Sequence, residues 1–164
     1  MKKLLLFLLC ALMLTGCSTP KPDVSAPTQE SIPVSSKPEV TESYLIYLPL
    51  ESADGFERKV LNVAEITPES VLGELQGHNV LPENVMINLL EVKDTQLNLD
   101  FNQAFADLVC STGTAGEMMI IGSVVNTYLS AYQSSQVECV LITVEGSTWE
   151  SGHVIYDEPI GPME

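Results

Sequence analysis

Apolar residues fall along the chain in two rhythms, one of period two and one of helical period. Leu97, Leu99 and Phe101 alternate with Asn98, Asp100 and Asn102. That predicts a strand with one dry and one wet face. Just before it, Val85 to Val92 is apolar on both faces, as expected of a central strand. Lys93-Asp94 or Asp94-Thr95 makes the turn, so the two should form an antiparallel hairpin. Tyr44 to Leu48 is a β-rich opening strand. Asp54-Gly55 marks a turn, and a weaker strand follows from Glu57 to Val63. Val137 to Val144 is a final strand, apolar at nearly every position and closed by Glu145-Gly146-Ser147.

The helical rhythm appears twice. Thr67-Pro68-Glu69 supplies an N-cap hydroxyl, a proline at the first helical position and an acid in the first turn. Val71, Leu72 and Leu75 form the buried side of that helix, and Gly77 ends it. Thr114-Ala115-Gly116-Glu117 fits a capping box. Behind it, Ile121, Val124, Val125, Tyr128, Leu129 and Tyr132 make one apolar stripe. The order is β-(β)-α-β-β-α-β, an α+β fold. The economical packing is a single mixed β-sheet with two helices on one face.

The N-terminus follows a different pattern. Lys2 and Lys3 precede an apolar run of 11 residues, Leu4 to Leu14. That is shorter than the roughly 20 residues of a spanning helix and suits the core of a signal peptide. Leu14-Thr15-Gly16-Cys17 then resembles the bacterial lipobox. In that motif the Cys17 thiol takes a diacylglycerol, and the small residues before it admit the signal peptidase. The resemblance makes residues 1–16 a cleaved lipoprotein leader and Cys17 a lipid anchor on the outer side of the cell membrane. Residues 17–42 hold Pro20, Pro22, Pro27, Pro33 and Pro38, half the prolines of the chain, with much Ser and Thr and no aromatic residue. Such a composition cannot offset its ordering entropy, so it reads as a disordered tether reaching about 27 Å. The folded domain is then 43–164.

Composition narrows the partners. Acids outnumber Lys and Arg by 22 to 7, for a net charge of −15, and loss of Lys2 and Lys3 with the leader deepens it. A surface so acidic repels phosphate backbones, which argues against nucleic acid. Membrane contact should come through the anchor and not through a basic patch.

Within 43–164 an ordered series of segments resembles the GerMN domain family. It comprises Leu81-Pro82-Glu83-Asn84-Val85, Leu97 to Asn102 with Phe105, Gly113 to Glu117, Val124-Val125-Asn126-Thr127, Val137 to Gly146, Gly152-His153 and Glu158-Pro159. The resemblance covers about Tyr44 to Ile160. It implies a fold similar to the ring-building modules of secretion and sporulation assemblies. It also implies a non-catalytic scaffold role in sporulation or germination, through a protein partner or self-association.

Candidate chemistry is sparse. His78 and His153 lack metal-ligand spacing, and the sequence carries no phosphate loop, no nucleophile elbow and no calcium loop. No cofactor, metal or catalytic residue is expected. His153 reads as a structural residue holding the C-terminal segment by hydrogen bonds, with a partner contact as the other reading. Asp100 reads as structural. Trp149, the only tryptophan, is either an exposed contact anchor or a ring folded back on the domain edge. Cys110 and Cys139 are either bridged or two buried thiols. Two other functions have stated requirements. A binder of cell-wall fragments or cations needs an apolar pocket around His153, Trp149 or Asp100. A hydrolase needs His153 and a carboxylate beside a nucleophile.

Overall fold

The computed structural model describes residues 41–164. The leader, Cys17 and the tether as far as residue 40 lie outside the described residues. The chain opens with an antiparallel hairpin of β1 (Glu42–Pro49) and β2 (Phe56–Val63), Ile46 opposite Lys59. Tyr44, Ile46 and Leu48 point inward from β1. Helix α1 (Pro68–Gly77) starts on a capping box: Ser70 N donates to Thr67 Oγ1 at 3.1 Å, and Thr67 N to Ser70 Oγ at 2.9 Å. It buries Val71, Leu72 and Leu75, as the sequence pattern predicts.

Strands β3 (Ile87–Lys93) and β4 (Gln96–Phe101) form the expected antiparallel hairpin. β5 (Cys139–Val144) lies parallel to β4, with Leu99 opposite Ile142. The order β3-β4-β5 corrects one expectation, because β4 is central and β3 is an edge. Met86, Leu89 and Val92 are therefore exposed, and the apolar run 85–92 does not mark a strand buried on both faces. Two short strands, β6 (Trp149–Glu150) and β7 (Ile155–Tyr156), pair near the C-terminus. The C-terminal segment then returns to β5, where Val140 and Ile160 exchange backbone hydrogen bonds of 2.9 and 2.8 Å.

Two helices lie between β4 and β5. α2 (Gln103–Cys110) is short and buries Phe105, Ala106 and Val109. α3 (Thr114–Ala131) is the longest element and is buried on nearly every side. It packs against β1, β5, α1 and α2. The α+β class and the order of the predicted elements hold, but the strands do not join into one hydrogen-bonded sheet. They form ladders of two, three and two strands. The cause is visible along β1. Its edge away from β2 meets α3 instead of another strand: Leu45 N donates to Ser130 Oγ at 2.8 Å and Tyr47 N to Thr127 Oγ1 at 3.1 Å. An unpaired backbone N–H is costly to bury, and these two hydroxyls satisfy the strand where a ladder would otherwise continue.

Candidate functional site

The start of α3 differs from its sequence reading, and the site follows from that difference. The N-cap is Gly113, and no side chain caps the helix. Glu117 is not engaged in a capping box. Its carboxylate is buried, with the residue 1% exposed. Glu117 Oε1 accepts from Ser151 Oγ at 2.5 Å and from Tyr156 OH at 2.6 Å. Ser151 Oγ also accepts the backbone N–H groups of His153 and Val154, at 3.2 and 3.1 Å. One helix carboxylate thus ties down the loop between β6 and β7. Glu117 Oε2 is buried and has no hydrogen-bond partner among the described residues.

Beside this network lies a groove of about 430 Å³. Thr114, Glu117, Met118 and Ile121 of α3 form one wall. The C-terminal segment from residue 154 to 160, with Met163, forms the other. Met118, Val154 and Ile155 are large apolar residues left 50%, 45% and 65% exposed, and all three line it. Asp157 and Glu158 are exposed on its rim, and no Lys, Arg or His lines it. Sequence reasoning placed Glu158-Pro159 in the family series but assigned no strand to this C-terminal wall. The signal was present as Val154-Ile155-Tyr156, three strand formers between Gly152-His153 and Asp157-Glu158-Pro159.

The residues singled out from sequence do not converge here. Trp149 is folded back onto the domain. It stacks on Tyr156 with ring centroids 4.4 Å apart, meets Phe105 edge-on, and donates Nε1–H to the Ile142 carbonyl at 3.3 Å. His153 is exposed, and it is its backbone N–H, not its ring, that holds the segment. Asp100 is buried as a structural acceptor for Asn88 Nδ2, Thr143 Oγ1 and the Gly146 N–H. Cys110 and Cys139 are free thiols, which corrects the possible bridge. Each lies against a different carbonyl, Cys110 at Glu150 and Cys139 at Thr95. The alternative of two buried thiols also needs correction, since Cys110 is exposed and Cys139 half-buried. Neither His153, Trp149 nor Asp100 lines the groove, so the pocket a small-ligand binder requires is not built around them.

Burial shapes the titration of the tyrosines. The Tyr44 hydroxyl is pushed up to about 12 by burial, with Glu74 adding to the effect. Tyr128 rises well above its usual value by burial, with smaller effects from Tyr132, Tyr44 and Glu69. Tyr156 rises through burial first and its bond to Glu117 second. The unfolded chain releases these protons near pH 10, whereas the folded chain holds them longer. Their stabilising contribution is therefore complete below about pH 10 and is lost as pH rises toward 12. The melting temperature should fall between pH 10 and 12 from whatever value it has at pH 9. A constant value from pH 9 to 12 would contradict the assignment.

The model of the family described as Germane, sporulation and spore germination, matches residues 22–150, most of the chain. The tandem GerMN domains of the Bacillus subtilis sporulation protein GerM superpose with a TM-score of 0.52 at 15% identity. The match covers 81% of this chain and 50% of that one, so this chain spans half the length of the tandem structure. The first GerMN domain of the same protein aligns over 65% of this chain and 84% of its own length, at 18% identity and a TM-score of 0.40. Comparison with curated protein sequences gives no match. The family match ends at residue 150, before the C-terminal wall of the groove. The chain belongs to the Germane family of sporulation and spore germination, and its described residues form a GerMN-type domain.

Proposed function

We propose that this chain is a lipoprotein, anchored outside the cytoplasm through Cys17, whose domain is a non-catalytic interaction module in an envelope assembly of the sporulation or germination type. The observation that carries the reading is the groove: a concave surface with three exposed large apolar residues on a domain of this family. Contiguous exposed apolar surface on a folded domain marks interaction sites. The buried polar groups are consistent with a structural role. Asp100 and the Glu117 Oε1 each hold loops in place, and the His153 ring makes no hydrogen bond among the described residues. The lipobox and the Pro-rich tether add a place of action. They would hold the domain a few nanometres from the membrane surface.

Chemical crosslinking of the full chain in its native envelope, followed by mass spectrometry, tests this reading. The expected result is a covalent adduct of defined size with another envelope protein or with further copies of the chain. Recovery of only uncrosslinked monomer, under conditions that link known envelope complexes, would count decisively against it.

A further inference from the structure

The groove carries information about what it binds. Its walls are apolar, yet its charged residues are all of one sign: Glu117, buried behind the α3 wall, and Asp157 and Glu158, exposed on the rim. Glu117 adds an independent observation, a carboxylate oxygen that is buried and lacks a donor. A buried acceptor without a partner keeps its negative charge uncompensated by any donor, which adds to the acidic character of this wall. Apolar walls with one carboxylate buried behind them and two exposed at the mouth suit a side chain with an apolar stem and a cationic head. Lysine and arginine have that construction. The size suits it too, since about 430 Å³ falls within the range of specific pockets and exceeds a single side chain. Aliphatic neighbours of the cation can then cover Met118, Val154 and Ile155.

We infer that the groove between α3 and residues 154–163 docks a segment of another envelope protein in which a lysine or arginine is flanked by aliphatic residues. The inference rests on the interaction-module reading and specifies the chemistry of its partner. The net charge of −15 makes the same choice at longer range, by attracting basic segments and repelling acidic ones.

The test places a benzophenone amino acid at Ile155 of the full chain in its native envelope, with separate control chains carrying it at Val60 on β2 and Leu89 on β3. All three positions are exposed. The expected result is an adduct from position 155 whose sequenced partner peptide carries a Lys or Arg between aliphatic residues. Its yield should fall at least fivefold in an Asp157→Lys/Glu158→Lys background with unchanged circular dichroism. A synthetic peptide of the captured sequence should bind the detergent-solubilised chain at least tenfold more tightly than the same peptide with its cation replaced by Gln. Adducts from position 60 or 89 but none from 155 would overturn the groove and leave the module reading standing. No adduct from any position would remove both. An adduct at 155 with lipid, with a second copy of the chain, or with a segment lacking a cation would overturn the partner chemistry alone.

Discussion

Replacing Asp100 with Ala should cost the fold about 3–4 kcal/mol, because its side chain joins three elements at once. Oδ2 accepts from Asn88 Nδ2 of β3 at 3.0 Å. Oδ1 accepts from Thr143 Oγ1 of β5 at 2.6 Å and from the Gly146 N–H of the following turn at 2.8 Å. Hydrogen bonds to a charged group contribute about 1.5–3 kcal/mol each, and bonds sharing one carboxylate are not additive. Removing that carboxylate leaves three donors in a partly dry site. The turn it holds is itself demanding: Glu145 and Gly146 have φ of 50° and 74°. Asp100→Asn keeps an oxygen for Thr143 and Gly146, and the Asn88 amide can turn over to accept from the new NH2. It should lose only about 1–2 kcal/mol. Urea titration of residues 41–164 reads both, as lower midpoints at unchanged slope. Equal losses for Ala and Asn would show that the carboxylate acts through its charge, not through this acceptor geometry.

Phe105→Ala should cost about 3–5 kcal/mol, the usual range for deleting a buried aromatic ring. Phe105 is fully buried on α2. Its ring stacks on Phe101 of β4 at 4.2 Å and meets Trp149 of β6 edge-on at 5.7 Å. The residue therefore couples the central strand to the C-terminal loop that Glu117 also holds. The only tryptophan serves as a local probe. Loss of the Phe105 ring should admit water beside Trp149, shifting its emission to longer wavelength in the folded variant. Unchanged emission together with a loss below about 1 kcal/mol would mean that α2 does not pack as described.

These two sites show where the sequence was legible and where it was not. The alternation of Leu97, Leu99 and Phe101 gave β4 its buried face, and the same pattern placed Asp100 opposite it. The pattern could not show that β5 and its turn would bury Asp100, because the three bonds reach residues up to 46 positions away. The capping signals at Thr67 and Pro68 located α1, since they act within one turn of chain. Those at Thr114 and Glu117 located the start of α3 to within one residue, the N-cap being Gly113, but misassigned Glu117. A local capping bond there competes with two buried donors, Ser151 and Tyr156, from distant sequence. α2 was missed because Asn102, a favoured N-cap residue, falls in the polar series of the β4 alternation and reads as strand. Asn102 stands at the N-cap, but its side chain accepts from the Met86 N–H and donates to the Asn84 carbonyl. Asn102 together with the spacing of Phe105, Ala106 and Val109 is the signal that could have revealed it. β3 was read as central because periodicity reports apolar faces and not which neighbours cover them.

The stripe on α3 was legible, yet it described only part of the helix. Ser123, Asn126 and Thr127 are buried as well. Thr127 has its reason in the β1 edge, and Asn126 exchanges hydrogen bonds of 2.7 and 2.9 Å with the Met163 backbone. Polar residues that look solvent-facing in sequence here close the hairpin on one side and the C-terminal segment on the other. That segment forms the second wall of the groove. The candidate site thus depends on long-range bonds that no local pattern encodes, whereas the family resemblance rested on segments whose order is local and readable.

Everything proposed about this domain's work depends on where the lipid places it. The direct measurement is to label cells with a radioactive fatty acid and fractionate them, comparing the natural chain with Cys17→Ala. The natural chain should carry the label and sediment with the membrane, whereas the variant should carry none and leave the membrane fraction, with the circular dichroism of residues 41–164 preserved. A Cys17→Ala chain that keeps its label, or stays in the membrane without it, would contradict the account.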